Sequence, residues 1–258
     1  MPAHLLTRLD VVLAAHGAGD GSPANRRVVD HARALETAFD GLRARAAFNV
    51  GYPSHRAALR AATRPHRVVV PMLTSDGYYM ARLRQDVDEA SGVTGTTRLL
   101  APIGRHRLIA ESIAVRVGEE ARALDAGPSE CHVLVIGHGT LRSSRSGRAT
   151  QQVAETVTNA TDIQSTVAFL DAEPSVEDAM RRIPAQQSVI VVPFLYGGGD
   201  HATRDVVNRV TNGDRARGER GRTGTVVLLE PMGELRVIGE ILEREILDEI
   251  TAQGGFTS

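Results

Sequence analysis

VLVIGHG at residues 133–139 repeats VVLAAHG at residues 11–17, and reading the two stretches together decides the fold. Their histidines, His16 and His138, stand 122 positions apart. Working outward, AFNVGYPS at 47–54 is answered by AFLDAEPS at 168–175, and VVVPMLTSDGYY at 68–79 by IVVPFLYGGGDH at 190–201. LLAPIG at 99–104 then returns as LLEPMG at 228–233. Four anchors in one order, three of them offset by 121 or 122 and the last by 129, mark a duplication, with each copy long enough to bury its own core. The expected domains are residues 1–126 and 127–258, joined by DAGPSE at 125–130.

Within each copy, short apolar runs alternate with longer amphipathic stretches. The runs are VVLAA (11–15), ARAAFNV (44–50), RVVVPML (67–73) and TRLLAPI (97–103), then HVLVIG (132–137), STVAFL (165–170), SVIVVPFL (188–195) and TVVLLEPM (225–232). Apolar runs of this length, without alternation, suit strands buried on both faces of a parallel sheet. Between them, residues 24–42 and 146–159 have helical spacing, and residues 235–251 read as a closing helix. Pro53 and Pro174 are expected in the first turn of helices over 54–62 and 175–183. Residues 91–97 and 213–224 read as polar, glycine-containing loops, the second of them mobile. The alternation predicts two tandem, doubly wound, four-stranded α/β domains.

Composition excludes several classes. A net charge of −1 and a pI near 6.8 give no global field for nucleic acid. Lysine is absent, so all 30 basic residues are arginine, the side chain that grips carboxylates bidentately. The single Cys131 rules out an internal disulfide and is expected to be buried at a strand start. No apolar stretch reaches a membrane span, and the amino terminus lacks a signal-peptide core, so a soluble cytoplasmic protein without a membrane partner is expected.

Open α/β sheets bind ligands beyond the carboxyl ends of their strands. In the second copy His138 ends the first strand, Asp171 and Glu173 follow the second, and His201 follows the third. Two imidazoles and a carboxylate from three strand ends suit a divalent first-row ion with open positions. The loop GTLRSSRSGR after His138 leads into a helix whose start favours an anion, with Arg142, Arg145 and Arg148 placed to clamp carboxylates. The first copy keeps His16 but has Asn49 or Val50, Gly51 or Tyr52, and Tyr79 at the matching places. His16 is therefore read as structural or substrate-lining, and the active site is assigned to the second half. Tyrosines near Asp76-Gly77-Tyr78-Tyr79 are read as packing aromatics able to line a flat ligand. His4, His31, His55, His66, His106 and His132 are read as ordinary surface or loop residues.

A strand ending in HG, then FLxxEPS, then VVPFLxxGGxHxxxDV resembles the class II tetrapyrrole chelatases, most closely the sirohydrochlorin cobalto- and ferrochelatases. The resemblance covers almost the whole chain and is carried by GHGTLRSSRSGR and PFLYGGGDHATRDV. It implies that His138 and His201 bind the incoming metal and take the pyrrole N–H protons, assisted by an acid. The commoner spacing is FLExxEP. Here the loop is one residue shorter, and Asp171 is preferred over Glu173 as the metal-facing acid. The implied substrates are a polycarboxylate tetrapyrrole of siroheme or cobalamin synthesis and Co²⁺ or Fe²⁺, with Ni²⁺ open, and no separate cofactor. The implied protein is a monomer of two pseudo-symmetric domains or a homodimer. The shortened acid loop and the degenerate first half keep a second reading alive, a non-catalytic metal or tetrapyrrole carrier of the same fold.

Overall fold

In the computed structural model, which describes residues 3–19, 21–90, 95–139, 144–196, 200–219, 221 and 223–254, the first anchor forms strand β1. A short helix α1 (Ala3–Leu6) precedes β1 (Leu9–Ala15), followed by α2 (Pro23–Ala38), β2 (Arg43–Phe48), α3 (His55–Ala61), β3 (His66–Met72), α4 (Tyr78–Ala90), β4 (Thr96–Leu99) and α5 (Arg107–Ala123). The second repeat runs β5 (Cys131–Gly137), α6 (Ser144–Thr161), β6 (Ser165–Phe169), α7 (Val176–Arg182), β7 (Ser188–Pro193), α8 (Asp200–Gly218), β8 (Val226–Leu228) and α9 (Val237–Gly254). Two parallel four-stranded sheets result, ordered β2-β1-β3-β4 and β6-β5-β7-β8. The duplication seen in the anchors is thus a duplication of topology.

Central strands β1 and β5 are buried at every residue, which is why their sequences do not alternate. In each sheet the chain leaves the central strand toward one neighbour and returns on its other side. The carboxyl end of β1 or β5 is therefore the switch point, and His16 and His138 are the next residues. Each histidine is followed by a glycine with φ near +75°, Gly17 at +76° and Gly139 at +73°. A Cβ on Gly17 would lie 2.2 Å from the Val50 carbonyl oxygen, and one on Gly139 would lie 2.7 Å from the Phe169 Cβ. The HG pair is thus a packing requirement as well as a chemical one: the loop after the second strand closes directly over the glycine.

The compact units are cut differently from the repeats expected at 1–126 and 127–258. Unit 1 comprises residues 1–106 and 236–258, and unit 2 comprises residues 107–235. Helix α9 therefore packs in unit 1, burying Ile238, Ile241, Leu242, Ile246 and Ile250 near α1 and α2. Its Glu249 accepts an ion pair from Arg98 of β4 at 2.9 Å. Helix α5 packs in unit 2 along α6, burying Ile109, Ile113, Val117 and Ala121. Amphipathic spacing fixes which face of a helix is buried, but not which sheet receives it.

Three local expectations are corrected. Pro53 and Pro174 stand one residue before the N-caps Ser54 and Ser175, so neither is in a first helical turn. The Ser54 hydroxyl accepts from the Ala57 amide, and Ser175 from the Asp178 amide, supplying the caps instead. The expected loop over 213–224 is helical as far as Gly218. Arg217, fully buried, ties the last turn down by donating to the carbonyls of Pro184 (2.8 Å) and Gln187 (2.7 Å). Finally, His55 and His132 are buried core residues, 6% and 3% exposed, not surface or loop residues. Cys131 is buried at the start of β5, and burial pushes its thiol pKa up.

Candidate metal site at a sheet end

The loops following β2 and β6 are held by the same hydrogen bonds. Asn49 N donates to Ala15 O (3.1 Å) and Val50 N to His16 O (2.8 Å). In the second repeat Leu170 N donates to Gly137 O (3.1 Å) and Asp171 N to His138 O (2.8 Å). Phe48 and Phe169 close the loops on the carbonyls of Pro53 and Pro174. This shared register equates Val50 with Asp171 and Tyr52 with Glu173, which the sequence alone had left open. The Tyr52–Pro53 and Glu173–Pro174 peptides are both cis.

In unit 2 the backbone register places the Asp171 carboxylate beside His138, with Nδ1 and Oδ2 3.2 Å apart. Both side chains are 62% exposed, so an ion or ligand can reach them. An imidazole nitrogen and a carboxylate oxygen at this separation have the spacing of neighbouring ligands about 2.0–2.2 Å from one first-row ion. Glu173 is engaged elsewhere: its Oε2 accepts from the Ser175 amide at 2.9 Å, at the start of α7. The acid that the described contacts bring to His138 is Asp171.

His201 is the second residue of α8, the place that Tyr79 takes in α4. Its side chain lies outside the described residues, as does that of Arg145 on α6. Arg142 lies outside them altogether. Arg148 is exposed on α6, three residues beyond Arg145. Among the described residues no group of three or more His, Cys, Asp or Glu side chains is placed to hold an ion.

The matching end of unit 1 is chemically different. His16 Nδ1 faces the Asn49 side-chain nitrogen at 3.3 Å. An amide NH₂ only donates, so Nδ1 accepts and the ring proton resides on Nε2. Tyr79 lies against the His16 ring with centroids 4.0 Å apart, and Tyr78 meets Tyr79 edge-on at 5.5 Å. Beneath them, buried His55 bonds through Nε2 to the Ala15 carbonyl at 2.9 Å, pinning the strand end that carries His16. Burial pushes the His55 pKa down, so it is a neutral donor there. His55 has Val176 as its counterpart, each directly after the capping serine, so this brace belongs to the first repeat alone.

Comparison with known proteins identifies the family. Both repeats match the CbiX family, over residues 10–120 and 132–249. A probable sirohydrochlorin cobaltochelatase of Halobacterium salinarum is 25% identical over 223 residues, covering 76% of this chain and 74% of the relative. The solved structure of CbiX, described as the terminal enzyme of siroheme biosynthesis in denitrifying bacteria, superposes with a TM-score of 0.74 at 20% identity, covering 93% of this chain and 99% of that one. SirB from Bacillus subtilis with Fe³⁺ gives 0.70 at 15% identity, covering 96% and 98%. The duplicated parallel sheets with histidines at their switch points define a chelatase-type enzyme, a lyase. The chain belongs to the CbiX family. Among the described residues no helix is long and apolar enough to cross a membrane.

Proposed function

We propose that the chain inserts Co²⁺ or Fe²⁺ into a sirohydrochlorin-type tetrapyrrole, with unit 2 holding the metal. The observation that carries this reading is the His138–Asp171 pair at 3.2 Å on an exposed switch point. It stands in the repeat that also kept His201. His138, Asp171 and His201 are assigned as the ligands of the metal substrate. Two imidazoles and one carboxylate leave coordination positions open, as an ion that must be handed over requires. Ni²⁺ would satisfy the same ligands.

Insertion replaces two pyrrole N–H protons with one divalent ion, so two protons must leave the macrocycle. His138 and His201 are the acceptors, because imidazole titrates near neutrality and can pass each proton to water. A metal ion binds only the unprotonated nitrogen of an imidazole, so protons compete with the ion for His138 and His201. Arg142, Arg145 and Arg148, following the same strand, are assigned to the peripheral carboxylates of the substrate.

The test is an absorbance assay of Co²⁺ and Fe²⁺ insertion into sirohydrochlorin, measured against the spontaneous rate for the parent and for His138→Ala. Rapid insertion by the parent and loss in the variant are expected. A parent that binds both substrates without accelerating insertion would replace this reading with that of a carrier.

A further inference from the structure

The sheet end of unit 1 has lost the chemistry of a metal site and acquired another. Position for position, Val50 replaces Asp171, Tyr52 replaces Glu173, and Tyr79 replaces His201, while His16 is kept. The chain has four tyrosines, and three of them, Tyr52, Tyr78 and Tyr79, are gathered here. All three are exposed, by 80%, 47% and 40%, and Val50 beside them by 44%. Exposed aromatics at a single sheet end are costly to keep in water unless a ligand covers them. The rings are also held in place: Tyr79 lies against His16 from one side and meets Tyr78 edge-on from the other. His16 is in turn fixed by Asn49, so the face is organised before any ligand arrives.

We propose that this end of unit 1 is a stacking surface for the planar, conjugated ring of the tetrapyrrole, with Tyr79 as its centre and Tyr78 and Tyr52 at its margins. The proposal rests on the chelatase reading above and deepens it. Aromatic side chains give a conjugated macrocycle dispersion and offset stacking without competing for the metal. None of Val50, Tyr52 or Tyr79 is a strong ligand for a divalent ion at neutral pH, and His16 Nδ1 is occupied by the Asn49 amide. The surface therefore discriminates in favour of the macrocycle and against the free ion.

The experiment uses the full chain and metal-free sirohydrochlorin, titrated by absorbance and by quenching of tyrosine fluorescence. The dissociation constant is expected to rise about tenfold in Tyr79→Leu and to stay near the parental value in Tyr79→Phe, since the ring and not the hydroxyl does the stacking. Co²⁺ binding in the absence of macrocycle is expected to be the same in all three proteins. Parental affinity in Tyr79→Leu, or an equal loss in Tyr79→Phe, overturns the stacking surface while leaving the chelatase reading intact. A change in sedimentation rather than in macrocycle affinity also overturns it, by making the patch a contact between copies. A parent that binds no tetrapyrrole overturns the chelatase reading, and this surface with it.

Discussion

His138 and His16 occupy the same position in two copies of one fold, and each has a polar neighbour at nearly the same distance, 3.2 Å and 3.3 Å. The neighbours differ in one respect that matters. Asp171 offers lone pairs and a negative charge, so a cation is attracted to the space beside His138. Asn49 turns its uncharged NH₂ group to the ring, so no negative charge faces His16 there. The loop register places the residue after Asn49, Val50, where Asp171 stands, and an apolar side chain there removes the charge. The two ends differ at this loop position and at Tyr79, which stands where His201 does, while strand, glycine and backbone hydrogen bonds stay the same. The comparison teaches that the histidine alone reports ancestry, and its neighbour reports chemistry.

The largest expected effect tests the active end of the comparison. His138→Ala should lower the rate of metal insertion by about 100-fold or more, the range for losing a positioned base that also ligates. Insertion within a few-fold of the parent would place the site elsewhere. Circular dichroism should be unchanged, because the side chain is exposed.

The second effect separates the two acids. Asp171→Asn removes the negative charge beside His138 and keeps the side chain's size. It should lower insertion and Co²⁺ affinity by about tenfold, the scale for losing a group that ligates or orients a ligand. Glu173→Gln should change both by less than about threefold, since Glu173 is occupied with the Ser175 amide. Equal losses in the two variants would break the assignment.

The third concerns the opposite ends of the central strands. Asp10, second in β1, is paired with Arg45 at 3.3 Å and accepts from the Arg64 amide at 2.9 Å. His132, second in β5, meets uncharged partners, the Thr166 hydroxyl at 3.1 Å and the Gln187 side chain. Burial, with the Arg217 charge adding to it, pushes the His132 pKa down to about 4. The unfolded chain takes up this proton near pH 6.5 and the folded chain does not. Between those values, folding stability must fall as the pH falls. The loss should be on the order of 1–2 kcal/mol between pH 7 and pH 5 in urea unfolding, and smaller in His132→Gln. An unaltered slope in that variant would show that other groups dominate the acid limb.

The smallest expected effect lies at the silent end. His16→Ala should reduce insertion at saturating macrocycle by less than about threefold, because Asn49 and Tyr79 leave its ring no part in holding the ion. A loss as deep as that of His138→Ala would mean that both sheet ends serve the metal.

Much of this was legible in the sequence. Repeated anchors and unalternating apolar runs specify two parallel sheets, because burial on both faces of a strand demands that pattern locally. The rule that open sheets bind ligands at strand ends also pointed to His138 and Asp171, which lie 3.2 Å apart. Less legible were the buried histidines. His132 sits in an apolar run and His55 directly after a capping serine, but a single imidazole carries no periodic signal of its own. Arg217 was hidden for the same reason: in a glycine- and arginine-rich stretch, only its carbonyl partners at Pro184 and Gln187 reveal a buried anchor.

The sequence by itself determined the duplication, the alternation of strands and helices in each copy, and the absence of the matching acid and second histidine from the first, since these depend on residue types at fixed spacings. Only the tertiary structure decided which acid faces His138, and that Asn49 turns His16 into an acceptor. It also decided that α5 and α9 each complete the unit of the other repeat. The physical reason is common to all three. A side chain's partner is set by loop register and by which sheet receives a helix, and neighbours brought together across the fold leave no period in the chain.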